Sequence, residues 1–241
     1  MRCLLGHFTW SALVRRESLA IAHACYAFVA SMVDGSGKLW PSVRRELRWM
    51  SGLLPLLYHD MRATWSSIVN CSDSSSTGFG VCSAQLDPSM VAVIGRCDER
   101  WRFRAEDAVQ SRAHALRPDV LLTDVATLSR TRVVREADWA RPWQEELLSE
   151  VPAATVAALP WRTCFAGTWH QPGQILRTEG KALVMSVRHA LRSRNHQNSH
   201  LLFLVDNLPL ALSASKGRSS SKWLISSCRE LAALSLFSSS R

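Results

Sequence analysis

Asp73, Glu179 and Asp206 are set apart from the other acids of the chain by their surroundings. Asp73 closes a β-prone run at 68–72. Glu179 opens a stretch with helical periodicity, and Asp206 closes the continuous apolar run at 201–205. An acid at the end of a buried strand is costly unless its charge is offset. A divalent cation is one such offset, and Mg²⁺ favours carboxylate oxygens and water while leaving positions open for a substrate phosphate. Two such ions about 4 Å apart can support in-line cleavage of a phosphodiester by stabilising both the attacking and the departing oxygen. Several carboxylates are then required, because like charges packed without cations repel and raise one another's pKa. Each acid also has an ordinary structural role open to it. Asp73 can cap the turn that follows, Glu179 can sit at the positive end of a helix, and Asp206 can accept from backbone amides.

The elements that would carry these acids can be read from periodicity and turn chemistry. Residues 1–65 are helical in pattern. One buried helix is expected over 18–33, interrupted by turn residues at 34–37. A second, amphipathic helix is expected after Pro41, with Val43, Leu47, Met50, Leu53 and Leu54 on one side and Arg44, Arg45 and Arg48 largely on the other. The character changes at Trp65. The run ending at Asp73, a Ser/Thr-rich turn at 74–77 and the run at 78–84 predict a β-hairpin that Asp87-Pro88 terminates. The stretch at about 105–160 mixes charged helix-like pieces with a short strand-like run at 120–122, and is expected to be an insertion. A strand at 161–169 follows, then a turn at Pro172-Gly173 and a helix capped by Thr178 that begins near Glu179 and runs to about 194. The apolar run 201–205 predicts a strand covered on both faces. Short and long helices at 209–215 and about 222–236 close the chain, giving an α/β order.

With these elements laid out, the chain resembles the ribonuclease H region of retroelement reverse transcriptases. Cys71-Ser72-Asp73-Ser74-Ser75-Ser76-Thr77-Gly78-Phe79-Gly80-Val81 resembles that family's first hairpin. Thr178-Glu179-Gly180-Lys181-Ala182-Leu183 is similar to the start of its first helix, and Leu204-Val205-Asp206-Asn207 to its strand-end Asp-Asn. Ala214-Ser215-Lys216-Gly217-Arg218-Ser219-Ser220 resembles segments of related polyproteins. In the N-terminal part, Gly6-His7-Phe8-Thr9-Trp10 with Leu13-Val14-Arg15-Arg16 resembles the thumb-to-connection region. Arg44-Arg45-Glu46-Leu47 and Leu53-Leu54-Pro55-Leu56-Leu57 resemble the segment just ahead of the nuclease.

The resemblance implies a ribonuclease H-like mixed sheet flanked by helices at 66–241, interrupted by the insertion at about 105–160 and preceded by a helical thumb/connection-like segment at 1–65. It implies that Asp73, Glu179 and Asp206 hold two Mg²⁺ ions, with Mn²⁺ a possible substitute, and that the RNA strand of an RNA–DNA hybrid is hydrolysed. Ser74, Asn207, Lys216 and Arg218 are candidates to touch the nucleic-acid backbone, plain surface charge being the alternative for Lys216 and Arg218. An enzyme of this kind reads hybrid shape and 2′-hydroxyls rather than base sequence. The family pattern also has a fourth acid on a later helix, and no acid follows Glu230 in this chain, nor does a Tyr-x-Asp-Asp polymerase motif occur. The chain is therefore expected to be a fragment of a larger polyprotein, truncated at its C-terminal end, with the rest of that polyprotein as a partner.

Bulk properties fit this picture. With 47% hydrophobic and 20% charged residues the composition is that of a folded chain. The net charge of +9 suits a polyanionic partner, since cationic side chains displace counterions from phosphates on binding. Seven cysteines without a C-x-x-C pair argue against a disulfide framework or zinc knuckle and for a reducing compartment. No secretory signal is apparent, and the apolar stretch at 18–33 is shorter than the ~20 residues a membrane span needs. An intracellular protein, cytoplasmic or nuclear and with no membrane partner, is expected. Three other readings stand beside it: a catalytically inactive hybrid binder of the same fold, a helical interaction protein whose positive charge is incidental, and a degenerate open reading frame with no selected function.

Overall fold

The computed structural model describes residues 1–32, 37–96, 153–171 and 173–240. A four-stranded mixed sheet is built from β1 (Trp65–Ser74), β2 (Gly78–Gln85), β3 (Arg162–Thr168) and β4 (His200–Leu204), in the order β3-β2-β1-β4. The hairpin expected from the Ser/Thr-rich turn forms: β1 and β2 are antiparallel, with Cys71 opposite Cys82 and Ser74 opposite Phe79. Small hydroxyl residues make this turn because their side chains bond local backbone. Ser75 N–H donates to Gly78 O at 2.8 Å, and Ser75 Oγ accepts from Gly78 N–H at 2.9 Å. β3 lies antiparallel to β2, whereas β4 lies parallel to β1 with Cys71 level with Leu204. Parallel pairing sends both chains out of the same edge of the sheet.

Eight α-helices are described: α1 (Arg2–Ala12), α2 (His23–Ser31), α3 (Pro41–Leu53), α4 (Pro88–Arg96), α5 (Ala153–Ala157), α6 (Ile175–Ala190), α7 (Leu208–Lys216) and α8 (Leu224–Ser238). α3 buries Val43, Glu46 and Met50 and exposes Arg44, Arg45 and Arg48, as its amphipathic spacing requires. Residues 1–93 and 158–241 form one compact unit, and 94–157 form a second, in which α5 and the last turn of α4 are the described elements. The turn residues expected at 34–36, Pro172, and the strand-like and helix-like pieces expected within 105–151 lie outside the described residues.

Four expectations need correction. The single helix expected over 18–33 is a 3-10 helix, Arg16–Ala22, followed by α2. The segment is enclosed from more than one side, so all five residues from Ser18 to Ala22 are buried, and an amphipathic α-helix would turn some of them outward. The helix carrying Glu179 begins four residues earlier than expected, at Ile175. Thr178 is not its cap: its Oγ1 donates to Ile175 O at 2.9 Å inside the first turn. The earlier start follows from packing, because Leu176 joins the apolar cluster of Leu183, Val187, Leu210 and Leu224 that α6, α7 and α8 share. The apolar run at 201–205 is half-buried rather than enclosed, since β4 ends the described sheet and only one neighbour strand pairs with it. Finally, Asp87-Pro88 does more than end β2: it opens α4, with Asp87 Oδ1 accepting from Ser89 N–H at 2.9 Å and Pro88 in the first turn.

The helical N-terminal residues and the C-terminal helix are tied together within the first unit. A first apolar cluster comprises Leu5, Phe8, Leu19, Cys25, Phe28, Val43 and Met50. Beside it, the buried Glu46 pairs with Arg229 of α8 and accepts from Cys25 N–H at 2.8 Å. The buried Arg15 bonds Glu17 at 2.6 Å, Ser235 Oγ at 2.8 Å and Ser240 O at 2.9 Å.

Candidate metal centre

The parallel register of β1 and β4 decides where two of the acids go. Cys71 is level with Leu204, and two residues further along each chain stand Asp73 and Asp206. Neighbouring strands lie about 4.8 Å apart, so these carboxyls leave the sheet side by side. α6 packs over β1 and supplies Glu179 from its second turn. One carboxylate oxygen from each of Asp73, Glu179 and Asp206 lies within 4.8 Å of the others. Asp73 and Asp206 are exposed, and Glu179 is only 5% exposed.

Such crowding has an electrostatic consequence. Two like charges this close, near a protein surface, repel by an amount on the order of a few kcal/mol. Among the described residues none of the three carboxylates makes a salt bridge. Glu179 responds by holding its proton: burial first, then Asp206, then Asp73 push its pKa from the ordinary 4.5 up to about 7. Cys71, two residues before Asp73 on β1, is also pushed up, by burial, then Cys82, then Asp73 and Asp206. The donor set is all oxygen, crowded and electrostatically unsatisfied, with two members open to solvent. That chemistry fits a hard divalent cation such as Mg²⁺, which takes carboxylate oxygens and keeps water in its remaining positions.

The turn bearing Asp73 is held from several directions. Ser74 N–H donates to Asp73 Oδ1 at 2.6 Å, and the buried Ser74 Oγ reaches Gly78 O at 3.2 Å. Trp169, just past β3, donates from its indole Nε1 to Ser74 Oγ at 3.1 Å and from its backbone N–H to Thr77 O at 2.8 Å. Its ring lies 4.5 Å from that of Phe79, with Lys181 Nζ 5.8 Å from its centroid on α6.

The other sequence candidates are placed as follows. Ser74 adjoins the acids, but its hydroxyl is engaged inside the hairpin turn. Asn207 follows Asp206 and caps α7, its Oδ1 accepting from Leu210 N–H at 3.0 Å. Lys216 and Arg218 stand at the other end of α7, whose nine residues rise about 13 Å. There Gly217 adopts a left-handed conformation (φ 65°) against the backbone of Arg16, which leaves no room for a Cβ. The structure thus brings Asp73, Glu179, Asp206, Ser74 and Asn207 to one end of the sheet and sends Lys216 and Arg218 to the far end of a helix. Sequence reasoning passed over Trp169 and Lys181, although Lys181 stands only two residues from Glu179. Among the described residues no helix is long and apolar enough to cross a membrane.

No protein-family model, curated protein or solved structure compared with the chain matches it.

Proposed function

We propose that this chain is a metal-dependent endonuclease of the ribonuclease H-like class, hydrolysing the RNA strand of RNA–DNA hybrids as part of a retroelement reverse transcriptase. The observation that carries the reading is the convergence of Asp73, Glu179 and Asp206, from two parallel strand ends and one helix, within 4.8 Å. The basic balance of the chain, +9 overall, supports a polyanionic substrate. Asp73, Glu179 and Asp206 would hold two Mg²⁺ ions, or Mn²⁺ in their place. Such ions supply Lewis acidity that activates water and neutralises charge developing on the phosphate. The protein's own contribution is positioning. The β1 and β4 ends set the spacing of Asp73 and Asp206, Ser74 and Trp169 hold the Asp73 turn, and Asn207 stiffens the chain after Asp206 by capping α7. Glu179, without metal, holds a proton below about pH 7 and would release it to serve as a ligand.

A labelled RNA–DNA hybrid incubated with the protein and Mg²⁺ or Mn²⁺ tests the reading. RNA-strand cleavage that Asp73→Asn and Asp206→Asn each abolish is the expected result. Hybrids left intact with either metal, or cleaved equally by both variants, would sink it. One observation favours a second reading, a hybrid binder without catalysis: among the described residues three acids converge, whereas the resemblance implies four. Tight hybrid binding without cleavage, unchanged by Asp73→Asn, would select it.

A further inference from the structure

The acid cluster would repel a nucleic-acid backbone from the very place where it must be held, so a cation at the same end of the sheet has a definite use. Lys181 is exposed and stands on α6 two residues from Glu179. Its ammonium lies 5.8 Å from the centroid of the Trp169 ring, within the range of cation–π attraction. That ring is itself fixed: its Nε1 donates to Ser74 Oγ at 3.1 Å, and Phe79 lies against it with ring centroids 4.5 Å apart. Ser74 is the backbone neighbour of Asp73. The ammonium is therefore tethered from two sides to elements that each carry an acid. Among the described residues Lys181 pairs with no carboxylate, whereas Arg188, further along the same helix, pairs with Glu230 at 2.8 Å. One turn before Lys181, Arg177 is also exposed. Like charges four residues apart on a helix disfavour it unless an anion lies across them.

We propose that Lys181, held over the fixed indole of Trp169, is a backbone-phosphate contact that seats the hybrid beside the acid cluster. The proposal rests on the nuclease reading for the identity of the polyanion. A lysine on a long free stem would lose rotamer freedom on binding phosphate, and an indole that already restrains it lowers that loss. The contact is to phosphate, so it carries no base specificity.

Binding of a fluorescent RNA–DNA hybrid, followed by anisotropy with divalent metal chelated and over a series of salt concentrations, tests this. Lys181→Ala should weaken binding several-fold for any base sequence and reduce the steepness of log K against log salt by about one. Lys181→Glu should weaken it further, and Lys181→Arg should restore it. Because Lys181 is exposed, thermal melts of the variants should match the parent. Equal affinity and salt slope for parent, Ala and Glu variants would overturn the proposal, as would a Lys181→Ala effect confined to metal affinity. Its failure is distinguishable from that of the nuclease reading. A parent that cleaves hybrids while Lys181→Ala binds them unchanged removes only the lysine contact. A parent that never cleaves, yet loses salt slope with Lys181→Ala, removes the nuclease and keeps the contact.

Discussion

Glu179 is the residue on which the chemistry of the site turns. With its pKa pushed from 4.5 to about 7, the folded chain holds a proton between those values that the unfolded chain releases. Stability without metal therefore falls as pH rises through that window, and the penalty is fully present above about pH 7. Glu179→Gln removes the buried charge. At pH 8 and without metal it should stabilise the protein by about 1–3 kcal/mol, read as a raised midpoint in urea; the proposed metal site further predicts that Mg²⁺ raises the melting temperature of the parent and not of this variant. A cation and that proton compete for the same oxygens, so Mn²⁺ affinity should climb between about pH 6 and 7.5 and then level off. Titration calorimetry at stepped pH checks this, and a flat profile would contradict it. Asp206 is the largest charged contributor to the shift. Asp206→Asn should accordingly lower the Glu179 pKa, which a carboxyl NMR titration would register.

At the scale of elements, the site exists because α6 is pressed down onto β1 and β2 by α8. Gly180, next to Glu179, lies against α8. A Cβ there would meet Ser227 Oγ at 2.5 Å and Ser227 Cβ at 3.1 Å, both on α8. Gly180→Val should therefore lift the first turns of α6 away from α8, destabilising the fold by about 1–3 kcal/mol. The lift also displaces Glu179 relative to Asp73 and Asp206. Mn²⁺ affinity should fall with stability in this variant, whereas an exposed change such as Arg188→Ala should leave metal binding alone. Paired urea unfolding and calorimetry would separate the two outcomes.

Across the first unit, residues 1–65 share buried polar contacts with α8, the helix that braces the site. Glu46 is 2% exposed and meets both Arg229 and Cys25 N–H. Removing the arginine alone leaves a buried carboxylate with one donor, and one-sided deletions of this sort cost about 3 kcal/mol. Arg229→Ala should show that loss in equilibrium unfolding, whereas Glu46→Gln with Arg229→Met, which removes both charges, should recover much of it. The buried Arg15 makes the same connection through Ser235 of α8, and reaches Ser240 just beyond that helix.

Much of this was legible from residues alone. The hairpin follows from alternation on either side of a hydroxyl-rich turn, and α3 from its apolar stripe, because these patterns report local geometry. The three acids were legible too, since each interrupts or follows an apolar run where a charge needs a reason. What the chain could not show was distance. The register that puts Leu204 level with Cys71 joins residues 133 positions apart along the chain, and no local pattern encodes which strand end lies beside which. The same holds for Trp169 over the Asp73 turn, for Lys181 over Trp169, and for the burial that raises Glu179. The sequence specified which residues could ligate a cation; only the tertiary structure decided that they meet, because strand pairing and helix packing depend on non-local burial.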